Sequence, residues 1–156
     1  MMADSGNDGM TLRPIGVLGT PWRSLAECPR NGRQPQPAPA CEARIFPEFV
    51  PGLLSLAGFT HLILLYWLGP AADPPMQFTP PFDRRAHGVF ATRSPKRPNP
   101  IGLSVVAFDG FLAPDRLAVR YLDCLDGTAL LDIKPYLRTT DAEPQANMGW
   151  LAGPPS

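Results

Sequence analysis

The stretch "GVFATRSPKRPNPIGLS", residues 88–104, gathers Arg93, Lys96, Arg97 and Asn99 with Pro95, Pro98 and Pro100 inside nine residues. Guanidinium, ammonium and amide groups recognise carboxylates and phosphates, the guanidinium in a two-pronged fashion, and none of them is a nucleophile. Each proline fixes its own φ near −65° and pushes the residue before it into extended backbone, so the loop is stiff without being helix or strand. A stiff loop loses less entropy when it takes a ligand. The residue types therefore point to anion recognition by a preformed wall.

A second dense stretch is "DCLDGTALLDIKPYL", residues 123–137. Its Asp126-Gly127-Thr128 is a turn signature that presents backbone N–H groups beside a carboxylate. Strand alternation after it puts Asp132 and Lys134 on one face and Leu131 and Ile133 on the other. That pair is either a solvated ion pair or the start of a polar path through Pro135 and Tyr136 to the mouth where the proline loop lies. A third Arg-and-Gly turn, "CPRNGR", spans residues 28–33.

Other chemistries find no support in the sequence. It contains no G-x-G-x-x-G, P-loop, G-x-S-x-G or H-E-x-x-H pattern. Its two histidines, His61 and His87, read as a hydrogen-bonded strand residue and a turn residue. Cys28, Cys41 and Cys124 are an odd number without paired spacing, which predicts reduced thiols, no metal site and a cytoplasmic setting.

These residues must be carried by short elements. Proline is 21 of 156 residues, against a usual share of about 5%. Apolar or alternating runs at 13–19, 41–46, 60–68, 88–92, 103–112, 117–122 and 130–133, each bounded by Gly, Pro, Asp or Asn, predict seven strands. Only "PGLLSLAG", 51–58, has the proline-first, glycine-last boundaries of a short helix. With no alternation of strands and long helices, the expectation is a mainly β protein, a single-domain β-barrel with one or two short helices. The domain is expected over residues 12–156, behind a disordered tail at 1–11, with "RQPQPAPA" (33–40) as an extended loop, a hairpin tip or a disordered segment and "MGWLAGPPS" (148–156) as a terminal strand or tail.

The uncharged stretch 49–72 is long enough for a membrane span. Pro51, Gly52, Gly58, Thr60 and His61 interrupt it, and it divides better into a short helix and a buried strand. The polar N-terminus lacks the basic and apolar segments of a signal peptide. Net charge is zero, but residues 1–97 hold ten Lys and Arg against seven Asp and Glu, and 98–156 hold four against seven. This balance argues against bulk electrostatic wrapping of nucleic acid but not against local anion recognition.

"GVFATRSPKRPN" followed by "PIGLS" and "DGTALLDIKPY", with "IGVLGTPW", "PRNG" and "LAGFTHLILLYW" upstream in the same order, closely resembles the TrmO family, also called TsaA-like or YaeB-like. The resemblance covers about residues 13–138. It implies a small β-barrel that binds S-adenosyl-L-methionine without a Rossmann fold, near a homodimer interface. It also implies N6-methylation of threonylcarbamoyladenosine next to the anticodon of tRNA, in the cytoplasm. By this resemblance the cofactor residues are Asn31, Gly32, Leu68, Gly69, Arg93, Leu103 and the turn Asp126, Gly127, Thr128, Ala129.

Transfer from a sulfonium is an in-line displacement, so positioning can supply most of the catalysis and no triad is needed. A carboxylate that takes the acceptor's proton would help, and Asp126 and Asp132 are the candidates. Lys96, Arg97, Asn99, Lys134 and Tyr136 fall to the substrate side, for the tRNA backbone, the threonyl carboxylate or an unpaired base. Ala129 replaces the family's usual proline, and Gly69 stands where many members carry a larger polar residue. The longer members continue into a C-terminal domain, so the expectation is a short form. The alternatives are a barrel that binds the cofactor or RNA without turnover, and a methyltransferase with a different small acceptor.

Overall fold

The structure is a computed structural model and describes residues 9–70 and 73–152. Six strands close an antiparallel barrel: β1 (Gly16–Gly19), β2 (Cys41–Ile45), β3 (His61–Trp67), β6 (Ile101–Ala113), β7 (Arg116–Arg120) and β8 (Thr128–Pro135). Around the barrel the order is β1-β2-β7-β6-β3-β8, and β8 returns to β1 through Leu18 opposite Thr128 and Gly16 opposite Leu130. A two-stranded ribbon, β4 (Gln77–Phe78) with β5 (His87–Gly88), stands outside it.

Period-two patterning explains why these segments curl into one layer. Along β3, Leu62, Leu64 and Tyr66 point inward and are at most 1% exposed, while His61, Ile63, Leu65 and Trp67 face out. Leu18, Ala43, Ile45, Val106, Leu117, Val119 and Leu130 complete the core from the other strands. The 13-residue β6 serves two partners, pairing with β3 through Ile101 to Ala107 and with β7 from Ala107 onward. Its register shifts between Phe108 and Gly110, where Gly110 takes φ +106°. A bulge of this kind bends a strand round a barrel corner.

The predicted barrel stands, with local corrections. The run at 88–92 is not a strand: after β5 the chain enters a 3-10 turn, Val89–Ala91, because Val89 alone is buried while Phe90 is 76% exposed and no alternation can be sustained. The helix expected at 51–58 is a 3-10 segment, Pro47–Leu53, opened by Pro47. "MGWLAGPPS" forms no strand as far as it is described; it makes a 3-10 turn, Gly149–Ala152. Residues 1–8 of the expected tail lie outside the described residues.

The alternation expected for β8 also breaks. A bulge opposite Leu65 and Tyr66 lets Leu130 and Ile133 reach the core, while Asp132 and Lys134 remain on the outer face, 3.0 Å apart.

Among the described residues no helix is long and apolar enough to cross a membrane, and no group of His, Cys, Asp and Glu could hold a metal ion. The three cysteines are unpaired. Burial pushes the Cys41 thiol up to about 11 and the Cys124 thiol up to about 12.

Candidate functional site

The proline loop is held by its own polar groups. Thr92 Oγ1 donates to the Val89 carbonyl at 2.8 Å, and the backbone amides of Ser94 and Lys96 donate to Thr92 Oγ1 and Ser94 Oγ. Arg97 reaches back so that Nη1 donates to the carbonyls of Thr92 (2.9 Å) and Ser94 (3.2 Å). The loop is thus curled round one guanidinium. At its far end the amide of Leu68 donates to Pro100 O at 2.7 Å, fixing the loop to the end of β3.

Its entry is held by the C-terminal turn. Trp150 Nε1 donates to Ala91 O at 2.8 Å, and its indole stacks on His87 at 3.7 Å. His87 in turn meets Asp83 at 2.7 Å, and this hydrogen bond holds the Asp83 carboxyl below its ordinary range.

Facing the loop is the turn at 30–34. Asn31 Oδ1 accepts the amide of Arg33 at 2.9 Å, and Gln34 Oε1 accepts that of Arg30 at 2.7 Å. Gly32 is buried against the Tyr121 main chain so closely that a Cβ there would overlap the Tyr121 carbonyl. Tyr121 is itself at φ +79°, a conformation that a bulky residue keeps only when its surroundings impose it. The Arg33 guanidinium lies 3.7 Å over the Tyr121 ring.

Between loop and turn, at the end of the barrel, lies a cavity of about 580 Å3. Its floor is a chain of three polar side chains. The Tyr66 hydroxyl donates to Asp123 Oδ1 at 2.7 Å and lies 2.7 Å from Ser104 Oγ. A hydroxyl has one proton, so with Tyr66 donating to Asp123 the Ser104 hydroxyl donates to Tyr66. Gly102 makes room for this arrangement, since a Cβ there would run into the Tyr66 ring.

Burial raises the Asp123 carboxyl above its ordinary value, opposed by the Tyr66 hydrogen bond and by the charge of Arg93. Tyr66 is raised strongly, first by burial and then by the Asp123 charge. Four guanidiniums, of Arg30, Arg33, Arg93 and Arg97, line the cavity with Asp123 as the one carboxylate among the described lining residues. Leu68, Ile101, Leu103 and Val105 give it an apolar side.

Of the residues expected from the sequence, Asn31, Gly32, Leu68, Arg93, Arg97, Asn99 and Leu103 meet on this cavity. Others do not. Lys96 is exposed on the loop, outside the lining, and Gly69 lies against the indole of Trp67. The turn Asp126 to Ala129 is stitched to the chain after β1: Asp126 Oδ1 accepts the Thr20 amide at 3.0 Å, and the amides of Asp126 and Gly127 donate to Trp22 O and Leu18 O. Asp132 is paired with Lys134 on the barrel's outer face.

Tyr136 sits edge-on to His61 at the start of β3, whereas the proline loop joins the end of that strand. Within one chain, the path from Asp132 through Tyr136 does not lead to the proline loop. Tyr66, Ser104, Tyr121 and Asp123 were not singled out by sequence reasoning. Only the carboxylate between buried Leu122 and Cys124, in "LDCLDG", offered a signal.

A closed six-stranded antiparallel barrel with an arginine-lined cavity at one end defines the class. Residues 17–142 match the family model described as the tRNA-methyltransferase O N-terminal domain. The chain belongs to this family. A crystal structure of TrmO from Pseudomonas aeruginosa superposes with a TM-score of 0.75 at 34% identity, over 95% of this chain and 65% of that one. A probable S-adenosyl-L-methionine-binding protein of Archaeoglobus fulgidus is 46% identical over 90% of this chain and 37% of its own length. A tRNA (adenine(37)-N6)-methyltransferase of Eikenella corrodens is 51% identical over 46% of this chain and 42% of its own. The chain therefore spans well under half of the Archaeoglobus relative and about two thirds of the Pseudomonas chain.

Proposed function

We propose that this barrel is the catalytic unit of an S-adenosyl-L-methionine-dependent methyltransferase whose acceptor is N6 of threonylcarbamoyladenosine beside the anticodon of tRNA. The observation that carries the reading is the cavity's composition: an apolar side, a positive wall and one half-buried carboxylate, in a volume within the range of small-ligand sites.

The residues present fit the cofactor. Leu68, Ile101, Leu103 and Val105 offer an apolar surface for an adenine, and Arg93, exposed on the stiffened loop, offers a guanidinium to the methionine carboxylate. When bound, the sulfonium supplies an activated methyl for in-line transfer. Arg30 and Arg33 across the cavity and Asn99 on its lining, with Lys96 beside it, serve the anionic acceptor, whose threonyl carboxylate and flanking phosphates suit guanidinium and ammonium donors. The relatives' names support the cofactor and an adenine of tRNA as acceptor; the threonylcarbamoyl group is this reading's own addition.

The reading includes a homodimer. Ile63, Leu65 and Trp67 of β3 pair with Val105, Leu103 and Ile101 of β6, giving the outer barrel wall an apolar strip. Ile101 and Leu103 are 42% and 51% exposed, and both also line the cavity. A second copy covering this strip would stand at the cavity's edge.

Incubation with labelled cofactor and tRNA from a strain lacking such activity, followed by nucleoside mass spectrometry, tests the reaction. A new methyl on threonylcarbamoyladenosine is expected; cofactor binding without any methylated nucleoside would sink the proposal. Arg93→Ala is expected to weaken cofactor binding roughly tenfold in calorimetry, the loss of about one charge-assisted hydrogen bond. Unchanged affinity would remove Arg93 from the cofactor site.

A further inference from the structure

Resting on the methyltransferase reading, we infer that Asp123, held by Tyr66 and Ser104, is the group that takes the proton released from the acceptor nitrogen. The reaction has to dispose of one proton. As the acceptor nitrogen bonds to the methyl carbon, the S–C electron pair passes to sulfur, the N–H electron pair stays on nitrogen, and the proton forms an O–H bond on Asp123. The products are a thioether, a methylated nitrogen and a neutral carboxyl.

Asp123 is selected by elimination as well as by placement. Arginine does not give up its proton in proteins, so Arg30, Arg33, Arg93 and Arg97 cannot accept one. The Tyr66 phenol is already the donor to Asp123. Both histidines are elsewhere: His61 stands beside Tyr136 at the far end of β3, and His87 is committed to Asp83 and Trp150. Asp126 and Asp132 are outside the cavity lining.

The geometry suits the task. Tyr66, 1% exposed, anchors Oδ1 from a strand position that Gly102 and Ser104 keep in place, so the second oxygen, Oδ2, has a defined position. Burial makes the carboxylate a stronger base than an exposed one, which improves proton acceptance near neutral pH. Tyr66 and Ser104 act through Asp123 and are positioning residues.

The test uses the full chain with tRNA as above. Asp123→Asn is expected to lower kcat by about 100-fold or more, the usual contribution of a general base, with cofactor affinity by calorimetry within about threefold of wild type. The wild-type rate should climb with pH through the titration of Asp123, and this limb should vanish in Asp123→Asn. Independently of turnover, carbon NMR of the free protein should show the Asp123 carboxyl titrating above the ordinary 3.8, and higher still in Tyr66→Phe, because the Tyr66 hydrogen bond lowers it. Titration at or below 3.8, or an Asp123→Asn variant as active as wild type, overturns the assignment. A wild-type protein that binds cofactor and methylates nothing counts instead against the methyltransferase reading, and the assignment falls with it.

Discussion

Gly32→Ala will lower stability by roughly 1–3 kcal/mol, the usual range for forcing an extra carbon into a packed site, and will weaken cofactor binding about tenfold or more. The added Cβ meets the carbonyl, carbonyl carbon and Cα of Tyr121, all main chain, so no side-chain rotation can relieve it. Tyr121 cannot retreat easily, because its backbone is already at φ +79° and its ring is covered by Arg33. The cheaper response is for the 30–34 turn to move away from the end of β7. That displaces Arg30, Asn31 and Arg33 together, because the turn is tied internally by Asn31 and Gln34. Denaturant unfolding measures the first effect and calorimetry the second. A variant as stable as wild type would mean the turn moves freely. Loss of stability with unchanged affinity would take this turn out of the binding site.

The same contact shows what a single chain reveals and what it hides. The proline loop and the 30–34 turn were legible because proline, arginine and glycine crowd together there, and each residue type states a local requirement. Barrel strands β1, β2, β3, β6, β7 and β8 were legible from apolar or alternating runs bounded by turn residues. The floor of the cavity was not. Tyr66 meets Asp123 across 57 residues and Ser104 across 38, and the three come together only because β6 bends to serve both β3 and β7. A tyrosine inside "LILLYW" looks like one more core residue until closure brings a carboxylate to its hydroxyl. Asp126 and Asp132 drew attention because they stand in motif-dense sequence, yet their bonds in the chain are to Thr20 and Lys134.

The ribbon at 77–88 shows a different limit. Two-residue strands carry no periodicity, so β4 left no trace in the sequence, and the run after His87 looked like a strand because Val89 and Phe90 are good strand formers. Their surroundings are non-local as well: Trp150, some sixty residues on, bonds to Ala91 and stacks on His87.

The largest effect on stability is expected from Leu64→Ala. Leu64 is fully buried at the middle of β3, and truncating a side chain in that position costs about 2–5 kcal/mol, depending on how far the surroundings collapse. Collapse is limited here, because β3 is paired on both sides, with Leu64 opposite Ser104 on β6 and Ile133 on β8. For a chain of this length the loss corresponds to a fall in Tm of roughly 4–20 °C. Ser104 is also the hydroxyl beside Tyr66, so the void opens under one of the two residues that position Asp123. Leu64→Ala should therefore lower the methyl-transfer rate at temperatures where the variant is fully folded, while Leu64→Met, which nearly conserves volume, should cost less than about 1.5 kcal/mol and leave the rate unchanged. Thermal unfolding and kcat measured on both variants separate the effects. A folded Leu64→Ala protein with wild-type kcat would show that the Tyr66, Ser104 and Asp123 chain does not depend on the packing beneath it.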